Sequence, residues 1–210
     1  MKKVTPISPI LPKLTENFLD VEEEMLFDGN LFFQQDVSYA SGSNIIFRGC
    51  QLDHVTLRNS RFERFECSNV VFDHCDLSNA EWLAASFHQV VFKNCKLIGT
   101  NFAESYLRDC QFIDCLGEFT SFSHGNLKVV TFENCQLSRS EFFEVDWKNL
   151  LLKNCNLDDS SWFHTKLQGL DFRSNHFQWI ALSLELLRGL QVNQEQAIVI
   201  ATGLGLVIED

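Results

Sequence analysis

The sequence predicts an all-β solenoid of square coils with an α-helical C-terminal cap. Three observations carry that expectation: an unbroken five-residue period, a small residue at a fixed offset within it, and a coherent pattern at period 20. At five-residue intervals from Phe27 to Leu182, 28 of 32 residues are Phe, Leu or Trp; only Val37, Gly42, Cys67 and Gly117 depart. That spacing fits neither a helix, with a period of about 3.6, nor a strand, with a period of about 2. The backbone must turn a corner every five residues and send one large side chain inward per side.

The small residue precedes the large one by two positions, as at Ala40, Cys50, Ser60, Cys75, Ala80, Ala85, Cys95, Thr100, Ser105, Cys110, Cys115 and Thr120. The other three positions are mostly polar. One large and one small inward residue per side fill a narrow tube at native density, and four sides close a coil of 20 residues. At period 20 one wall reads Phe32, Leu52, Phe72, Phe92, Phe112, Phe132, Leu152, Phe172, and another reads Val37, Leu57, Leu77, Leu97, Gly117, Leu137, Leu157, Phe177. With a rise of about 4.8 Å per coil, about eight coils make a rod on the order of 38 Å long. Such repeats bury their apolar faces only by stacking. At Gly117 the large residue is missing, and Phe119 is expected to fold inward and fill the gap.

The ends differ. Residues 1–24 form an N-terminal arm and cap: Met1, Lys2 and Lys3 run into Pro6, Pro9 and Pro12, the only prolines, and an acidic stretch follows from Glu16 to Asp28. Residues 25–182 are the solenoid. In 183–210 the five-residue period stops and helix is expected over Ser183–Leu187 and Asn193–Ala201, with Asn193 and Gln196 as a capping box and Gly203 as C-cap. Ala197, Ile198, Ile200, Leu204, Leu206, Val207 and Ile208 are too apolar to be left in water. Some cover the open last coil, and the remainder make a symmetric contact with a second copy.

Composition narrows the function. The net charge is −11, and no segment resembles a membrane span or a secretory leader, so a cytoplasmic location is expected. Seven of eight cysteines occupy the small inward slot and Cys67 a large one. They read as packing residues rather than disulfides or metal ligands, and there is no CxxC. His54, His74, His124 and His164 fall at the last, outward position of their repeats. His54 and His74 are one coil apart, close enough for a surface metal contact, although solvated turn residues are the preferred reading. No phosphate loop, nucleophile elbow or carboxylate pair emerges, and a filled tube leaves no cleft for chemistry. Neither an enzyme, nor a cofactor, nor a metal is expected.

Stretches such as Cys75-Asp76-Leu77-Ser78-Asn79 and Thr100-Asn101-Phe102-Ala103-Glu104 resemble the pentapeptide-repeat motif, A(D/N)LXX. The resemblance implies that family's right-handed quadrilateral β-helix over Met25–Leu182. The tail resembles that of the Qnr-type quinolone-resistance group. It shares a Gly-Leu-Gln-Val stretch at Gly189–Val192, a helix from Asn193-Gln194-Glu195-Gln196-Ala197, and a terminal Leu-Gly-Leu-Val-Ile run. That resemblance implies a homodimer joined through the C-terminal segment. It further implies a DNA mimic that binds type II topoisomerases (DNA gyrase, topoisomerase IV) and protects them from quinolone antibiotics. Some members carry loops that interrupt the repeat; the unbroken register here leaves room only for smooth faces. The alternative is a scaffold for an unrelated protein partner.

The charge pattern suggests where a partner would sit. Outward residues beside the Phe62–Phe122–Phe142 wall include Glu63, Glu66, Glu81, Glu104, Glu141, Glu144 and Asp146, an acidic stripe. Arg48, Arg108, Lys128 and Lys148 share another column with His88. An acidic stripe makes the chain a poor ligand for nucleic acid but suits a basic DNA-binding saddle on another protein. Leu83, Phe143 and Phe163 form a possible apolar contact in one column, and Ile113, Leu116 and Phe119 cluster at Gly117.

Overall fold

A residue with positive φ stands at every fifth position from Glu24 to Gly169, and these residues are the corners of the coil. Asn, Asp, His and Gly fill most of the corners, including Asn59, His54, Asp109 and Gly99, because they enter the left-handed region at least cost. This explains why four of the six histidines, His54, His74, His124 and His164, stand at the last position of the repeat. Val129, β-branched with a φ of 57°, is the strained exception. The structure, a computed structural model, describes residues 4–209. Met1, Lys2 and Lys3 of the arm and Asp210 of the tail lie outside the described residues.

Between corners each side pairs in parallel with the side 20 residues on, as in Phe72↔Phe92, Phe92↔Phe112 and Phe112↔Phe132. About eight coils stack this way into a β-solenoid with a helix at its C-terminal end. The four sides are not equivalent. Strands Glu66–Asp73, Ser86–Lys93, Tyr106–Ile113, Asn126–Glu133 and Asp146–Lys153 each wrap one corner and span two sides. The other two sides are turns joined by single bridges such as Asp76↔Lys96 and Glu81↔Asn101.

Stacked rings fill the tube. Phe72, Phe92, Phe112 and Phe132 lie 4.9, 4.8 and 4.6 Å apart and nearly parallel. A second stack runs Phe102, Phe122, Phe142, Trp162. The small slot does more than fill space. Thiols of Cys75, Cys95, Cys115 and Cys135 reach the carbonyls of Leu52, Phe72, Phe92 and Phe112, each at 3.4 Å. Thr100 and Thr120 hydroxyls donate likewise to Leu77 and Leu97 at 2.8 Å. At the top of the cysteine column Asn175 takes over, accepting from Cys155 N and donating to Leu152 O.

Where a large position shrinks, a neighbour grows. The ring of Phe65, in a small slot, lies edge-on to both Phe47 and Phe87 and occupies the level at which Cys67 leaves space. Ile45 fills beside Gly42, its Cδ1 lying 3.2 Å from where a Cβ would stand. At Gly117 the expectation fails: Phe119 is 51% exposed and stacks under Arg139 at 5.5 Å. The space is taken by Leu137 of the next coil, whose Cδ2 would lie 3.0 Å from an added Cβ. Phe119 stands at a corner with a φ of 59°, and corner side chains point outward.

Both ends are tied down. The arm runs along one column of corners: Pro12 packs on Gly29 and Gly49, Ile10 N donates to Asn69 Oδ1 and Ile7 N to Asp109 Oδ1. Three arm residues therefore match two coils, as a polyproline II rise of about 3.1 Å per residue against a coil rise of about 4.8 Å requires. Thr15–Glu16 pairs with Asn30–Leu31, and Leu19 is buried at the first coil. At the other end the coil continues past Leu182: Phe172 N donates to Gln191 O and Gln191 N to Leu170 O. A 3-10 turn at Leu184–Leu186 precedes the helix Gln194–Gly203, which has the expected capping box from Asn193 and Gln196. The C-cap is Leu204 rather than Gly203, and Gly205, with a φ of 88°, makes the left-handed exit.

Candidate functional site

The filled tube directs attention to its faces. Bridges set Arg61, Glu81, Asn101, Ser121, Glu141 and Ser161 one above another. Around the adjacent corner, Glu66, Ser86, Tyr106, Asn126 and Asp146 form a parallel column. Glu104 and Glu144 stand at the corner between them, with φ of 59° and 50°, and Glu63 pairs with Ser43 at the lower end. All seven predicted carboxylates are exposed and lie on this side of the rod. They do not form an unbroken stripe. In each column neutral rungs separate the acids, with Arg61 beneath Glu81, because carboxylates directly opposite one another repel. Amides brace them: Asn101 Nδ2 donates to Glu81 Oε2 at 2.9 Å and Asn126 Nδ2 to Asp146 Oδ2 at 3.4 Å. His124 Nδ1 lies 3.1 Å from Glu144 Oε2.

The basic column is broken only by Ser68. Ser68, His88, Arg108, Lys128 and Lys148 follow in register, with Arg48 beneath Ser68. Arg108 meets the buried Asp109 at 3.5 Å, and Lys128 lies over the Tyr106 ring at 5.3 Å.

Of the apolar candidates, Phe143 and Phe163 are neighbours, and the Phe143 ring meets His124 and His164 edge-on, each at 5.2 Å. Leu83 shares their column but stands three coils below Phe143, separated by Ala103 and Ser123, so it does not join that patch.

The C-terminal segment divides into two faces. Val199 and Ile200 pack against the core of the last coil. Gln196 is buried between them and the coil, its Nε2 donating to Phe172 O at 2.8 Å and Asn175 O at 2.7 Å. Ala197, Ile198, Leu204, Leu206, Val207 and Ile208 point away, Val207 with 88% of its surface open. With the exposed Trp179 and Leu184 they leave an apolar end on the rod. Of the residues assigned from sequence to capping and dimerisation, only Ile200 faces the solenoid. Gln196 is the polar anchor that the capping-box signal only half disclosed.

All eight cysteines are free and buried. Burial pushes the Cys67 and Cys95 thiols well up and the Cys110 thiol up to about 12, which removes these three from thiolate chemistry near neutral pH. Among the described residues no helix is long and apolar enough to cross a membrane.

A family described as "Pentapeptide repeat region" matches residues 85–162, and one described as pentapeptide repeats in eight copies matches 50–81 and 66–102. Together they span more than half of the chain. No curated protein matches. Among solved structures, HetL from the cyanobacterium Nostoc sp. strain PCC 7120, described as involved in heterocyst differentiation regulation, is 13% identical. It superposes with a TM-score of 0.56, covering 81% of this chain and 84% of its own. QnrB1, described as a plasmid-mediated fluoroquinolone resistance protein, is 22% identical over 86% of this chain and 90% of its own, with a TM-score of 0.37. The HetL likeness establishes the shared fold and nothing about role.

Proposed function

Because the chain belongs to the pentapeptide-repeat family, whose coils offer faces rather than a cleft, we propose that it acts by binding and not by catalysis. In this reading it is a cytoplasmic homodimeric rod that mimics DNA. It occupies the DNA-binding saddle of a type II topoisomerase, DNA gyrase or topoisomerase IV, and shields the enzyme from quinolone-type inhibitors. The observation that carries the reading is the acidic face: seven exposed carboxylates spaced along one side of the solenoid, in a chain of net charge −11. The C-terminal sequence that resembles the Qnr-type tail supports it, as does the apolar end left by Ile198, Leu204 and Leu206. Two rods joined there double the charged length. Electrostatic complementarity of this kind gives on-rate and orientation. No nucleic acid or membrane enters as a direct partner.

The alternative is a scaffold for an unrelated protein, favoured by the Phe143–Phe163 patch with its flanking histidines. Binding to purified gyrase at rising salt separates the two. Mimicry requires affinity that falls steeply with salt and is lost in the Glu81→Lys/Glu104→Lys/Glu141→Lys/Glu144→Lys variant. Substitution of Phe143 and Phe163 by Ser leaves that affinity within a few-fold. Salt-insensitive binding that depends on Phe143 and Phe163 supports the scaffold instead.

A further inference from the structure

Two consecutive coils present the same Asp-His pair at the same corner. Asp53 and Asp73 are directly paired across the ladder, and His54 and His74 follow at the corners, with φ of 55° and 54°. Their imidazole rings are stacked, 4.7 Å apart and within 4° of parallel. Each Nδ1 meets the carboxylate of its own preceding residue, His54 with Asp53 and His74 with Asp73 at 2.8 Å. Asn94 Nδ2 donates to Asp73 Oδ1 from the coil above, and Phe33 lies edge-on to His54 below.

The backbone does not ask for histidine here. The same column of corners holds Asn94, Asn134 and Asn154 with the same positive φ, so asparagine serves the turn equally well. Nor does the ladder favour two carboxylates face to face, which repel unless a cation lies between them; one coil further on, the partner of Asp73 is Lys93. Paired acids and paired imidazoles at one place therefore call for a ligand.

We propose that His54, His74 and Asp53 bind a divalent transition-metal ion of the zinc, nickel or copper kind. Asp73 acts as the carboxylate that orients His74. Donor atoms of Asp53, His54 and His74 already lie within 4.8 Å of one another. Metal–nitrogen bonds of about 2.0–2.1 Å need donors roughly 3–3.5 Å apart. That closure is small for side chains half open to solvent, 52% for His54 and 50% for His74. On His74 the Asp73 carboxylate at Nδ1 fixes the tautomer that leaves Nε2 as the metal-binding lone pair. Asp53 joins the shell by leaving His54 Nδ1, because a carboxylate held on Nδ1 cannot reach a metal on Nε2 of the same ring. Two imidazoles and one carboxylate, with water completing the shell, select borderline metals over Mg²⁺ and Ca²⁺. The bound ion would staple the second and third coils and neutralise the acids on that edge.

The test is calorimetric titration of the full-length protein with Ni²⁺ and Zn²⁺, and a Cu²⁺ electron paramagnetic resonance spectrum. The expected result is one ion per chain at micromolar affinity, no heat from Mg²⁺, and a Cu²⁺ signal split by two nitrogens. The His54→Asn/His74→Asn variant keeps a residue the corner accepts, so it retains the wild-type melting profile and loses the site. Asp73→Asn weakens it about tenfold. Undiminished binding by the double variant, wild-type affinity no tighter than millimolar, or a Cu²⁺ spectrum without two nitrogens each overturns the proposal.

Discussion

Between Glu66 and Lys153 every coil has a coil above and below it, whereas beyond Leu182 the chain has a neighbour on one side only. In the first region backbone hydrogen bonds, ring stacks and small-slot donors all repeat at one interval, so each residue is held by residues 20 positions away in both directions. In the second, the last coil's carbonyls have no further coil, and a single side chain, Gln196, answers two of them. The helix it anchors covers the core with Val199 and Ile200 yet leaves Ile198 and, beyond its end, Leu204, Leu206 and Val207 facing outward. A repeat that solves its own edges in the middle must borrow a solution at the end, and the borrowed helix has an exposed apolar face of its own.

The comparison can be broken in four places. On the proposed end-to-end pairing the largest effect is on assembly: wild type is expected to scatter as a dimer and Ile198→Asp combined with Leu206→Asp as a monomer, with little change in far-UV circular dichroism. Next is the middle of the stack, where Phe112→Ala opens a cavity between Phe92 and Phe132. About 3–5 kcal/mol of stability should be lost in denaturant titration. At the end, Gln196→Met keeps the volume but strips the carbonyls of Phe172 and Asn175 of their donor, a loss of about 1–3 kcal/mol. Hydrogen exchange should then rise in residues 193–203 but not in the central strands. The smallest is a gain. Val129→Asn relieves a β-branched residue held at a φ of 57° and should stabilise the fold by about 1 kcal/mol, read as a higher melting temperature.

Much of this architecture was legible because a solenoid writes its geometry as a period. Phe27 to Leu182 announces one inward side chain per side, and the stack of Phe72, Phe92, Phe112 and Phe132 follows directly. What escaped were the compensations between side chains at one level or on neighbouring coils. The thiol and hydroxyl bonds of the small slot look like mere volume in a sequence. The exchange of sizes between Phe65 and Cys67 requires knowing that both occupy one level, and the filling of Gly117 by Leu137 crosses a coil. The faces were half legible: columns follow from the count of 20, so which residues share a column can be read from the sequence. The neutral rungs within the acidic columns emerge only in register, as does the separation of Leu83 from Phe143. Gln196 shows the same limit, since its capping role is local and its hold on Phe172 and Asn175 is not.

The most direct measurement is supercoiling by purified gyrase with increasing amounts of this protein, with and without a fluoroquinolone. The acidic-rod reading predicts rescue of supercoiling in the presence of the drug, or inhibition in its absence, and loss of both in the fourfold Glu→Lys variant. No effect in either arm, with protein shown to be folded and dimeric, would contradict it.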